Sequence, residues 1–186
     1  AWVILVIAGL FEVVWAIGAR PSDMAVRRLR PYLFDGIPGT EGLPHGRDVL
    51  AGRCLVSGKV LIIDEEGGWP VVSLVENLAM RPEIDRLTIL STEAAELGET
   101  DTRHTLEGYI VRTRLAALAA EIHLGQLVAE VRDGSVTLAD GSTRGPFDYI
   151  VLSTGTEARA VPAGASAVGD CVAPRGIWAA VNDAYR

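Results

Sequence analysis

A Rossmann-like α/β domain carrying an antiparallel meander is the fold class that the sequence predicts, and three observations carry the prediction. The apolar run Lys59-Val-Leu-Ile-Ile-Asp64 is followed by two glycines, a helical stretch and a second apolar run, Arg86-Leu-Thr-Ile-Leu90. That order is a βαβ unit, which implies parallel strands joined by a crossover helix. Further on, Asp133-Gly134 and Asp140-Gly141 separate short alternating runs, the mark of tight turns in a β-meander. A last apolar run, Phe147-Asp-Tyr-Ile-Val-Leu152, returns to the sheet and ends in Ser153-Thr154-Gly155.

In chain order, residues 1–19 differ in character from the rest. They hold a single charge, Glu12, among Trp2, Leu5, Ile7, Phe11, Trp15 and other apolar side chains. Nineteen residues at helical rise span roughly 28 Å, about one hydrocarbon thickness. The stretch therefore predicts one apolar helix, either membrane-spanning or buried in a hydrophobic core. Arg20, Arg27, Arg28 and Arg30 follow it and would keep a spanning helix's C-terminal side in the cytoplasm. A basic leader and a small-residue cleavage site are both missing, which argues against a secretory signal.

Residues 20–58, with Pro21, Pro31, Pro38 and Pro44, read as linker and loop. Residues 59–152 read as an NAD(P)-type Rossmann domain, similar to that of disulfide-reductase-like flavoproteins: the first strand, a helix from Val71 to Met80, the second strand, a helix from Thr105 to Glu121, the meander of Leu127–Arg132 and Ser135–Leu138, and the final strand. Residues 153–186 read as a return segment. In it a short apolar strand from Ala165 ends in Gly169-Asp170, and an apolar helix begins after Pro174-Arg175.

Composition narrows the function classes. The 186 residues suit one domain, or one with an appendage, and 49% of them are hydrophobic, enough for a real core. A net charge of −7 argues against nucleic acid as a partner and against a general attraction to anionic lipid. Cys54 and Cys171 are far apart and without Cys/His neighbours, so no zinc or iron–sulfur site is expected, and a reducing, cytoplasmic compartment fits. His45, His104 and His123 lack a carboxylate or cysteine at catalytic spacing and read as surface or loop residues. Trp69 and Trp178 read as packing groups.

Two turns carry the chemistry. Gly169-Asp170 is either an ordinary helix N-cap or one side of a flavin nucleotide site. In the second case glycine permits close backbone approach, Asp170 accepts from ribityl hydroxyls, and the following helix N-terminus, near Arg175, faces a pyrophosphate. Thr154 and Gly155 would line the crossing between domains. The other turn, Asp64-Glu65-Glu66-Gly67-Gly68-Trp69-Pro70, stands where a dinucleotide fingerprint cradles phosphates on backbone N–H groups. Here three carboxylates take that place. Like charges about 4 Å apart at an effective dielectric of 20 cost on the order of 4 kcal/mol per pair. The turn argues against NAD(P)H.

Two resemblances add to this reading. Trp2-Val-Ile-Leu-Val-Ile-Ala-Gly-Leu-Phe-Glu12-Val-Val-Trp15-Ala-Ile-Gly18 resembles the first helix of small multidrug resistance transporters, guanidinium exporters in particular. The resemblance implies substrate and proton binding at Glu12, and with it a membrane-anchored interaction protein or transporter segment. Leu43-Pro-His-Gly-Arg-Asp48-Val-Leu-Ala-Gly-Arg53, Gly58-Lys-Val-Leu-Ile-Ile-Asp64-Glu-Glu-Gly67 and Val168-Gly-Asp-Cys-Val-Ala-Pro-Arg175 together resemble a second family. It is the NADH:flavin oxidoreductases related to old yellow enzyme, in the branch of trimethylamine dehydrogenase and 2,4-dienoyl-CoA reductase. This likeness runs from about residue 35 to the end. It implies a fragmentary C-terminal nucleotide-binding region for electron transfer, with FAD or ADP at Thr154, Gly155, Gly169, Asp170 and Arg175. It also implies a flavin- or FMN-bearing oxidoreductase part outside this chain, without which the region is inactive.

Overall fold

The computed structural model describes residues 36–102 and 107–155, together with Val181. All of these except Val181 lie in one compact unit. Its centre is β1 (Gly58–Asp64), which pairs in parallel with β2 (Ile84–Ser91) on one side and with the last strand, β7 (Tyr149–Ser153), on the other. β3 (Ala120–His123) adds to the outer edge of β2, so the parallel sheet has the order β3-β2-β1-β7. β4 (Val128–Arg132), β5 (Ser135–Leu138) and β6 (Thr143–Arg144) form a separate antiparallel sheet. The βαβ unit, the meander and the return strand are thus present as expected.

The two faces of β1 explain the layering. A strand covered on both faces reads as a continuous apolar run, because alternate side chains leave on opposite sides. Val60 and Ile62 face a cluster with Leu87, Ile89, Val151 and helix α2 (Gly68–Ala79), which contributes the buried Val71, Val72, Leu74, Val75 and Leu78. Leu61 and Ile63 belong to a second cluster with Ile150, Leu152 and the meander residues Val128, Val131, Val136 and Leu138. Each such side chain contributes about 1.5–3 kcal/mol on leaving water. The meander therefore covers the face that a second helix layer covers in a doubly wound sheet.

Between β2 and β3 lie α3 (Glu99–Thr102) and α4 (Glu107–Ala116). The helix expected from Thr105 to Glu121 is shorter at its C-terminal end, and residues 120–123 form a strand instead. Ala120–His123 align with Leu87–Leu90, and Arg86 clasps Glu121 with two bonds of 3.0 and 2.8 Å. Pairing with an exposed strand edge and a cross-strand ion pair override the helix preference of the Ala-rich stretch.

The segment read as loop also holds structure. His45 caps a short helix, α1 (Gly46–Leu50), accepting at Nδ1 from Arg47 N–H. The chain just before it runs alongside β7: Leu152 N–H donates to Pro44 C=O at 2.9 Å, and His45 forms a parallel bridge with Leu152. His45, expected as a surface or loop residue, stands in the loop before α1 but is buried, at 8% exposure. A helix this short carries too little periodicity to be read from sequence. Among the described residues no helix is long and apolar enough to cross a membrane. The apolar helix at 1–19 with Glu12, and the site residues Gly169, Asp170 and Arg175, lie outside the described residues, as do His104, Cys171 and Trp178.

The fully buried Ile62 tests the layered core. Ile62→Ala should lower unfolding stability by about 3 kcal/mol, seen as a reduced urea midpoint with an unchanged slope. A loss below about 1 kcal/mol would mean that the sheet is not packed as described.

Candidate functional site: an acid-lined cleft at the sheet's C-terminal end

In open α/β sheets, ligands bind beyond the carboxyl ends of the parallel strands. At this end lies a cleft of about 440 Å³, lined by Glu65, Glu66, Gly67, Thr92, Glu93, Ala94, Glu99 and Thr100. Four of the eight lining residues are glutamates and none is basic. Arg47 approaches from α1 and pairs with Glu66 at 3.1 Å.

The strand ends are tied by backbone and side-chain bonds. Glu65 and Glu66 N–H both donate to Ser153 C=O, and Thr92 N–H donates to Asp64 C=O. Asp64 does not face the cleft as an acid in a phosphate position. Its side chain is buried, accepting from Gly67 N–H at 3.0 Å and from Ser91 Oγ at 2.6 Å. Burial pushes its pKa up to about 6, against the lowering effect of those two bonds. Ser91 Oγ in turn accepts from Glu93 N–H at 3.1 Å.

The first turn of α2 carries the feature that sequence reasoning missed. Gly67 and Gly68 have φ of 66° and 72°, a region favourable to glycine. The loop after β2 folds onto them. Glu93, two residues past the end of β2, turns back into its own loop and accepts from Gly98 N–H at 2.6 Å and Thr100 N–H at 2.7 Å. Asp101 accepts from Trp69 N–H at 2.8 Å. An added Cβ on Gly67 would stand 2.7 Å from Thr100 Oγ1 and 2.8 Å from Glu93 Oε1, and one on Gly68 would strike the Asp101 carboxylate. The acids against the glycines thus include Glu93 and Asp101 from beyond β2 as well as the inward-turned Asp64, which holds Gly67 N–H. No local motif in the sequence marks Asp101, because its partner is 32 positions away.

The remaining predicted residues separate into two groups. Thr154 is buried and Gly155 has φ of 81°, both at the exit of β7. Gly169, Asp170 and Arg175 lie outside the described residues. Trp69 is 36% exposed, more open than a packing group. Among the described residues, no cluster of His, Cys, Asp or Glu is arranged to hold a metal ion. The donors at Gly67–Trp69 do not fit a dinucleotide's pyrophosphate, since carboxylates already hold that ground.

No protein-family model matches the sequence, and no curated protein resembles it in sequence. Solved structures do share the fold. 6-Hydroxypseudooxynicotine amine oxidase from Pseudomonas geniculata N1 aligns with a TM-score of 0.66 at 24% identity, over 79% of this chain and 24% of its own. Histamine dehydrogenase from Rhizobium sp. 4-9 gives 0.66 at 19% identity, over 84% of this chain and 27% of its own. 2-Naphthoyl-CoA reductase gives 0.63 at 20% identity, over 86% and 24%. The described domain therefore shares its α/β fold with a part of each of these three proteins. The chain spans about a quarter of the length of each of these three proteins.

Two buried groups set opposing pH dependences. Asp64 keeps its proton up to about pH 6 in the folded state, so the stability it contributes is present below its ordinary pKa of 3.8 and lost as pH rises through 6. His45 is driven down to about 4 by burial and by Arg47, so its contribution is present above 6.5 and lost as pH falls through 4. The two shifts run in opposite directions, so over pH 4–6 the two contributions oppose each other. In urea unfolding at pH 4, 5 and 6, Asp64→Asn should therefore expose a rise in stability with pH. His45→Asn, which keeps an N-cap acceptor, should expose a fall. Profiles parallel to the wild-type protein's would contradict both assignments.

Proposed function

We propose that this chain is the nucleotide-binding, electron-transfer region of a flavin-linked oxidoreductase, acting with a flavin- or FMN-bearing part outside these 186 residues. The observation that carries the reading is the architecture itself. A parallel sheet with a meander on one face delivers β7 into Thr154-Gly155, where the chain of a two-domain flavoprotein crosses toward its second nucleotide site. Similarity of fold to an amine oxidase, a dehydrogenase and a reductase supports it.

The nucleotide assigned here is FAD or ADP. Gly169 would let the backbone approach it, Asp170 would accept from its hydroxyls, and Arg175 would face phosphate, with Thr154 and Gly155 shaping the crossing. Bound FAD supplies the electron-carrying ring, whereas ADP supplies an anchor only. NAD(P)H is set aside because the acid-lined cleft offers its phosphates no anion-binding subsite. In this reading the region shuttles electrons only when joined to its flavin-bearing part.

Calorimetric titration of the purified protein tests the proposal. FAD or ADP should bind saturably, NADH should not, and Asp170→Ala should weaken the binding by about tenfold or more, the loss of a hydrogen bond to a charged group. Absence of FAD and ADP binding at millimolar concentration would overturn it.

A further inference from the structure

We propose that Asp101 is a built-in anion: its carboxylate takes the pyrophosphate position on the first turn of α2 and closes the cleft to dinucleotides. The proposal rests on the reading of this domain as a nucleotide-binding fold and adds to it the means by which one site is shut. Helices usually satisfy their first N–H groups from a side chain at the N-cap itself. Here the N-cap is Gly67, which has no side chain to offer. The donor at Trp69 is met instead by a carboxylate from α3, 32 positions along the chain, at 2.8 Å.

The surface that receives Asp101 has the properties of a phosphate cradle. Two successive glycines at positive φ bare the backbone, and α2, twelve residues long, directs its positive end there. Negatively charged oxygens lie so close to both glycines that a methyl group at either would collide with them. The occupant is simply part of the same chain.

Its loop is fastened along its length. Asp64 holds Ser91, Ser91 holds the backbone of Glu93, and Glu93 holds Gly98 and Thr100 on either side of α3's start. Thr102 Oγ1 closes the segment by donating to Gly98 C=O at 2.9 Å. An entering pyrophosphate would have to displace Asp101 and face Glu93 as well. The glycines thus persist with a partner of their own, and the site is self-filled rather than eroded.

Inorganic pyrophosphate is the probe, applied to the full chain and to Asp101→Ala and Asp101→Asn. Calorimetry gives affinity, and the Trp69 backbone amide resonance reports where the probe sits. The wild-type protein should leave that resonance unmoved at millimolar pyrophosphate. The alanine variant should bind at least about tenfold more tightly and shift the resonance, and the near-isosteric asparagine variant should gain about threefold. If thermal melting shows that Asp101→Ala is unfolded, the asparagine result decides. Equal affinity in variant and wild-type protein, or binding that leaves Trp69 unmoved, would overturn the proposal. FAD and ADP binding is scored separately. A gain of pyrophosphate binding without FAD or ADP binding keeps the plug and removes the flavin assignment, and the reverse pattern does the opposite.

Discussion

The Asp64 carboxyl group joins the ends of the two central strands, and the conformation of everything beyond those ends follows from it. It sits at the last residue of β1, almost fully buried, and binds both the turn that starts α2 and the hydroxyl at the last residue of β2. A carboxyl group in such surroundings is costly to ionise, and protonation lessens the cost while the bonds from Gly67 and Ser91 retain the geometry. From that point a line of acceptors runs outward through Ser91 and Glu93 to the loop before α3. The cleft's shape is therefore set from inside the sheet rather than by its exposed rim.

The concentration of carboxylates at one end of the sheet is consistent with this arrangement. Parallel sheets and their helices gather backbone N–H groups and positive helix ends at the C-terminal edge, where an anion is favoured. In this protein Asp101 answers the α2 end, Glu93 answers its own loop, and Glu66 is paired with Arg47. Each takes a share of the positive potential on which a cofactor's phosphates would otherwise draw.

Much of the fold was legible in the sequence, because apolar runs flanked by glycine turns describe a sheet covered on both faces. β1, β2, α2, the meander and β7 all fall where periodicity and Asp-Gly turns indicate. β3 escaped because Ala120–His123 continues an alanine-rich helical stretch, and only the exposed edge of β2 and the Arg86–Glu121 pair recruit it into the sheet. α1 escaped because five residues span barely more than a turn. At the site, the acidic character of the first turn was legible. The full set of acids that meets the glycines was not, since Asp64 turns inward to hold Gly67 N–H and Asp101 arrives through a contact set by tertiary folding. His45 likewise gave no sign of burial, which comes from its pairing beside β7.

That pairing has a consequence for how the domain is connected. Pro44 and His45 run beside Leu152, so the segment that leads into α1 and the strand that leads out of the sheet lie next to each other. Losing either segment would leave backbone groups of the other without their partner.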